Sequence, residues 1–240
     1  MYAAEDEAET LEVVLRDTAS AVEVTLLYAV LPALDLVTRC ARIRNLGETP
    51  VTLTKAASLC LDISRGSWEW VHFHGRHAME RQMERRLLFH GIQEIGSTRG
   101  TSSHHQNPTV LLCTPDCTET AGACIGAALV YSGSHQTRLE CDQLGQVRMV
   151  MGIHPDLFRW ELKAGETFST PEVMLSYSDT GLETLSHHFH QAIREHICRG
   201  KYQLAERPVL INNWEATYFG FDTEKILHIA DCLLYTSDAA

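Results

Sequence analysis

The sequence predicts a mainly β domain of packed antiparallel sheets, followed by one helix and the opening of a βα unit. Three observations carry this. Short apolar segments with period-two alternation and β-branched residues recur through residues 1–178, separated by Gly and Pro punctuation. The apolar spacing then switches to three and four from Leu182 onward. Finally a short, wholly apolar run, Val209–Ile211, precedes a second helical pattern.

Leu11–Leu15 and Val22–Tyr28 are apolar runs of strand length. Leu36–Arg44 leads into Asn45-Leu46-Gly47-Glu48-Thr49-Pro50 and then Val51–Thr54, a strand, a turn and a strand. Leu59, Leu61 and Ile63 alternate with Cys60 and Asp62, which buries one face. Phe158, Trp160 and Leu162 alternate in the same way, as do Val173, Leu175 and Tyr177, with Lys163–Glu166 as a turn between them. Leu182, Leu185, Phe189, Ala192, Ile193, His196 and Ile197 recur at helical spacing. Thr180 with Glu183 forms a candidate capping box, and Gly200 a stop. Arg207–Trp214 holds the apolar run expected of a parallel strand. Asp222 is placed to cap a helix whose apolar face is Ile226, Leu227, Ile229, Ala230, Leu233 and Leu234. A single βα unit cannot bury its own faces, so the chain reads as incomplete at its C-terminal end.

Composition sets bounds on function. Of 240 residues, 45% are hydrophobic and 21% charged, an ordinary globular balance. The formal net charge of −11 argues against a nucleic-acid partner; part of it is the solvated run Glu5, Asp6, Glu7 and Glu9. No apolar run is long enough for a bilayer, and Met1–Thr10 has no signal-peptide character, so no membrane partner and a cytoplasmic address are expected. The eight cysteines include no C-x-x-C pair and read as reduced, mostly buried thiols. His72 and His74 form H-x-H, and His187, His188 and His190 crowd one helix. Neither set has the spacing of a zinc site, so no metal and no cofactor are expected.

The segment Trp68–Leu112 is the least generic, concentrating aromatics, His and Arg. Sugar sites use flat apolar faces and a few polar groups. On composition alone, though, a strand pair with cross-strand Glu–Arg pairs and a polar loop accounts for it. Two stretches change that balance. Glu80–Pro108 reads ERQMERRLLFHGIQEIGSTRGTSSHHQNP, and Arg207–Phe221 reads RPVLINNWEATYFGF. The first resembles the pattern E-R-x-x-x-R-x-x-L-x-x-G-x-x-x-I-x-S-x-R-G-x-S-S-H-x-x-N-P of glycoside hydrolase family 36, the bacterial and fungal α-galactosidases. The second resembles that family's opening barrel strand. The resemblance covers Leu11 to about Ile229.

The resemblance implies an N-terminal β-supersandwich of antiparallel sheets, an interdomain helix, and the first βα unit of a truncated (β/α)8 barrel. The corresponding domains are 1–178, 179–204 and 205–240, with the first incomplete at its N-terminus and the tail after Leu233 atypical. It implies hydrolysis of terminal non-reducing α-D-galactose from melibiose, raffinose and similar oligosaccharides, with retention and without metal or nucleotide. It also implies a homo-oligomer, a tetramer in many members. Retention needs two carboxylates; in the family these are aspartates on later barrel strands, so no catalytic residue is expected in this fragment. Two positions carry over as substrate-binding. Trp214 follows the first barrel strand and matches a residue lining the galactose pocket. His77, in His74-Gly75-Arg76-His77-Ala78-Met79-Glu80-Arg81, stands where many members have Trp in H-G-A-W-A-R-E-R, so hydrogen bonding by imidazole replaces stacking. Both are expected to face one concavity. The alternatives are a stand-alone carbohydrate-binding sandwich, which would not require Arg207–Trp214, and a raffinose-synthase-like transglycosylase on the same scaffold.

Overall fold

The computed structural model of the chain describes residues 3–4, 7–156 and 158–237, with side chains as far as residue 234. Glu5 and Asp6 of the acidic run, and Asp238, Ala239 and Ala240 of the atypical tail, lie outside the described residues. The chain divides into two compact units, Met1–Cys198 and Arg199–Ala240.

The first unit is built of antiparallel strands: β1 (Glu9–Asp17), β2 (Val22–Leu31), β3 (Leu36–Asn45), β4 (Val51–Leu53) and β5 (Ala57–Ile63). There follow β6 (Glu69–Arg76), β7 (Met79–Leu87), β8 (Gly91–Ser97), β9 (Gln106–Cys113) and β10 (Cys124–Val130). The last are β11 (His135–Cys141), β12 (Val147–Ile153), β13 (Trp160–Leu162), β14 (Thr167–Ser169) and β15 (Glu172–Ser178). A large sheet runs β1-β2-β3-β15-β10-β9-β6-β7, with β14 also on β3. A second runs β5-β12-β11-β8, and β13 pairs with β4.

Two cores flank the large sheet. Leu59, Trp70, Val110, Leu112, Leu139, Met149, Met151 and Val173 fill the space between the two larger sheets. Val71, Cys113, Met174, Leu185 and Phe189 pack on the opposite face, under a helix. Neighbours in sequence such as Trp70 and Val71, or Val173 and Met174, therefore enter different cores. This corrects the simple alternation expected for the last strand. Val173 is buried, but so are Met174 and Ser176, while Tyr177 is 54% exposed, because the helix covers the second face of β15. On β5 the alternation holds: Leu59 and Ile63 are buried, Cys60 and Asp62 exposed.

That helix, α1 (Leu182–Ala192), continues as a wider π turn over Ile193–Ile197, in place of five regular turns. The expected capping box is absent. Gly181 is the N-cap, at φ 97°, and no side chain caps it. The first free N–H groups go instead to a loop: Leu182 N donates to Thr118 O (3.0 Å) and Glu183 N to Glu119 O (2.9 Å). A tertiary partner has replaced the local one. A Cβ on residue 181 would lie 2.4 Å from Glu119 O, so only glycine lets the loop approach. Gly126 on β10 plays the matching part under the helix, where a Cβ would lie 2.4 Å from the Phe189 ring.

In the second unit, α2 (Trp214–Thr217) and α3 (Thr223–Ser237) are formed. The expected strand Val209–Ile211 is not: it carries no regular structure, and Val209 and Leu210 are 94% and 87% exposed. A strand needs neighbours to take its N–H and C=O groups, and there is none among the described residues of this unit. Asp222 does cap α3, accepting from Lys225 N at 2.9 Å. The apolar face of α3 is only half-buried at Ile226, Ile229 and Ala230, and Leu227, Leu233 and Leu234 are exposed. Among the described residues no helix is long and apolar enough to cross a membrane.

Candidate functional site

The segment Trp68–Pro108 forms β6, β7, β8 and the start of β9. His77 sits in the turn joining β6 to β7, exposed to solvent. Ala78 is held at φ 61° there, and its N–H donates to Glu80 Oε1 at 3.0 Å. The pairing slips between His74 and Arg76, which turns the end of the hairpin out of the regular ladder.

Beneath the turn, His72 is buried and ligated on both sides of its ring. Its Nδ1 lies 3.4 Å from the Gln106 amide nitrogen and its Nε2 3.3 Å from Glu84 Oε2. An amide nitrogen only donates, so Nδ1 accepts and Nε2 carries the proton toward Glu84. The same carboxylate lies 3.8 Å from His74 Nε2 and accepts from Arg86 Nε at 2.7 Å. Glu69 and Arg85 form the one cross-strand Glu–Arg pair of the hairpin, while Glu84–Arg86 runs along a single strand. Arg85 also donates to the carbonyls of Cys117 (2.8 Å) and Thr114 (3.2 Å), pinning the loop that receives α1.

The Ser-x-Arg-Gly-x-Ser-Ser-His stretch is a loop held by one internal bond and by two to the connection between β10 and β11. Ser97 Oγ donates to Thr101 O (2.6 Å), Gly100 N to Ser134 Oγ (2.9 Å) and Ser102 N to Ser132 O (2.8 Å). His105 O accepts from Gly75 N at 3.4 Å, tying the loop to the hairpin. The nearby Arg99 holds His105 below its ordinary value. These bonds are structural, and the side chain of His77 is left exposed at the turn of the β6–β7 hairpin. Sequence reasoning named His77 but not the buried support formed by His72, Glu84 and Gln106. Gln106 is part of a motif, but its reach back to β6 is non-local and leaves no sequence signal.

Trp214 opens α2 and is 44% exposed. Asn212 Oδ1 accepts from its N–H at 3.1 Å, and its ring meets Phe219 (4.9 Å) and Tyr218 (5.5 Å) edge-on. It therefore stands on a single helical turn with two aromatic neighbours rather than directly on a strand. Among the described residues no three His, Cys, Asp or Glu side chains are grouped to hold a metal ion. Cys113, Cys117 and Cys124 are buried thiols that form no disulfide. Burial pushes Cys113 up to about 11 and Cys124 up to about 12, which leaves both as unreactive core thiols.

His72 and His135 give the fold a pH dependence. Burial is the main cause that holds each below its ordinary value of 6.5, against the pull of Glu84 on His72 and of the Gln106 carbonyl on His135. The folded chain thus binds fewer protons than the unfolded chain just below that value. The stabilising contribution is complete above the unfolded pKa and is lost as pH falls through the lowered folded values. The urea midpoint is expected to drop between about pH 7.5 and about pH 5.5, and His72→Gln to flatten that drop. An unchanged slope in the variant would count against this account.

Comparison with known proteins identifies the class. Residues 1–163 match the glycosyl hydrolase family 36 N-terminal domain, and residues 167–234 match the melibiase domain. The chain belongs to glycoside hydrolase family 36. It is 50% identical over 230 residues to the bifunctional alpha-galactosidase/sucrose kinase AgaSK of Mediterraneibacter gnavus, covering 96% of this chain and 25% of that protein. It is 45% identical over 226 residues to alpha-galactosidase AgaA of Geobacillus stearothermophilus, covering 94% and 31%. The solved galactosidase domain of AgaSK superposes with a TM-score of 0.90 over 95% of this chain and 32% of its own. A doubly substituted variant of AgaA, solved in complex with stachyose, matches with the same TM-score of 0.90 at 44% identity, over 95% of this chain and 32% of that one. The chain thus spans about a quarter to a third of the length of these relatives.

Proposed function

We propose that the chain is the N-terminal β-supersandwich and barrel entry of a retaining α-galactosidase that removes terminal α-linked galactose from oligosaccharides of the melibiose and raffinose type. The observation that carries this reading is the pair of family matches in order along one chain, together with the 0.90 superposition on the galactosidase domain of AgaSK. The substrate class is supported by structures of AgaA with stachyose and with raffinose.

On this reading residues 1–178 form the sandwich, 179–204 the interdomain helix and linker, and 205–240 the first strand and helix of the catalytic (β/α)8 barrel. The strand at Val209–Ile211 forms when its barrel neighbours are present to pair with it. His77 and Trp214 are the substrate-binding residues of this part. The imidazole of His77 hydrogen-bonds a sugar hydroxyl, and the Trp214 ring offers its exposed face to the sugar. No residue of the chain serves as nucleophile or acid/base. The whole enzyme works without metal or nucleotide, in the cytoplasm, as a homo-oligomer.

The test is to express the reading frame extended through the barrel and follow raffinose cleavage by proton NMR. Galactose released first as the α-anomer is the expected product of a double displacement. Release of the β-anomer, or no release of galactose at all, would sink the proposal.

A further inference from the structure

The helix side of the sandwich carries a cleft of about 580 Å³, within the range of small-molecule sites. It lies between the β2–β3 connection, the end of β15 and the first turns of α1. β6, which leads to His77, is three strands away in the order β15-β10-β9-β6. We propose that this cleft binds a neutral sugar unit.

The floor is apolar, formed by Leu31, Pro32 and Leu36, and Tyr177 presents a half-exposed ring at its edge. Asp35, which also lines the cleft, closes the turn Pro32–Leu34 in the left-handed region, at φ 47°, a conformation that Asp tolerates better than most residues. Its carbonyl oxygen accepts from Ser176 Oγ at 2.8 Å, so that hydroxyl has spent its only proton. The 2.8 Å contact between Ser176 Oγ and His188 Nδ1 is then a bond donated by the imidazole, which fixes the ring and leaves Nε2 facing Asp35 Oδ2 at 3.8 Å. In neutral imidazole Nε2 is an acceptor, and so is the carboxylate. Two acceptors side by side, too far apart to bond each other, match two neighbouring hydroxyl donors.

Thr184 supplies the converse group. Its Oγ1 accepts from Thr180 Oγ1 at 3.0 Å and keeps its own proton to give. A ligand that donates twice, accepts once and lays a flat apolar face on a phenol ring is a polyhydroxylated ring. Among the described residues no Lys or Arg lines the cleft, so an anion has no counter-charge there. An amine could satisfy the two acceptors but could not accept from Thr184.

Galactosides are the first probe, and that choice rests on the functional reading above; a glucoside arm keeps the two failures apart. The 240-residue chain is titrated with methyl α-D-galactopyranoside, methyl α-D-glucopyranoside and 1,4-diaminobutane by saturation-transfer NMR. Saturable millimolar binding of at least one sugar is expected. Tyr177→Ala should weaken it about tenfold or more and Thr184→Val several-fold, while Tyr177→Phe leaves it unchanged. Binding of the glucoside alone would uphold the cleft and count against the galactoside reading. The proposal is overturned if neither sugar binds or if the diamine displaces the sugars. Binding that is indifferent to both Tyr177→Ala and Thr184→Val overturns it as well. Thermal midpoints of the variants check that each remains folded.

Discussion

Added to 4-nitrophenyl α-galactoside, the 240-residue chain is expected to release no nitrophenol above buffer. Cleavage with retention needs two carboxyl groups about 5–5.5 Å apart, one to attack the anomeric carbon and one to protonate the leaving oxygen. In the family both sit on later barrel strands. Asp222 and Asp231 of the second unit do not substitute for them. Asp222 accepts the Lys225 N–H at the start of α3, and Asp231 lies exposed on the same helix. Enzymes of this kind gain at least about 10⁶-fold over the uncatalysed rate, so the deficit relative to the extended protein should be at least of that order. Turnover that scales with the chain and survives repurification would show that the carboxylates are already present and that the fragment reading is wrong.

Much of the sandwich is legible in the sequence because each strand is a local pattern with its own burial. Leu36–Arg44 differs from the observed β3 by one residue, and Leu59 and Ile63 point inward as their spacing requires. What is not legible is decided by distant partners. Val51–Leu53 follows β3 after a turn, yet it pairs with Trp160–Leu162 rather than folding back on β3. Thr180 and Glu183 have the spacing of a capping box, but carbonyls of residues 118 and 119 reach the helix end first. Val209–Ile211 is apolar enough for a buried strand, and without neighbours it has nothing to pair with. The candidate site divides in the same way. His77 is readable because a motif frames it. The support beneath it, and the cleft at Tyr177, bring together residues from separate segments that no spacing rule connects.

Asn45 is where such a non-local partnership should be felt most strongly. It ends β3 with no exposure to solvent, and its amide is fully used. Nδ2 donates to Thr49 O (2.8 Å) and to Leu162 O (2.9 Å), and Oδ1 accepts from Gly47 N (2.9 Å). Its backbone is bonded as well, to Glu166 O and from Gly165 N, so one residue ties β3, the turn 46–50 and β13 together. Asn45→Ala strips the partners from two carbonyls and one N–H at the edge of the core, at an expected cost of about 2–4 kcal/mol. That corresponds to a fall in thermal midpoint of about 5–15 °C for a unit of this size. Asn45→Asp should be worse at neutral pH, because it sets a buried carboxylate against two carbonyl oxygens. Its folded-state pKa would be raised by both burial and those carbonyls. The Asp variant should therefore recover, relative to the Ala variant, as pH falls below the raised value, and lose ground as pH rises through it. Urea titrations of both variants at pH 4.5 and pH 8 make the comparison. An Ala variant within about 0.5 kcal/mol of the parent, the range of an ordinary surface change, would mean that the Leu162 and Thr49 carbonyls find other donors and that β13 does not depend on this side chain.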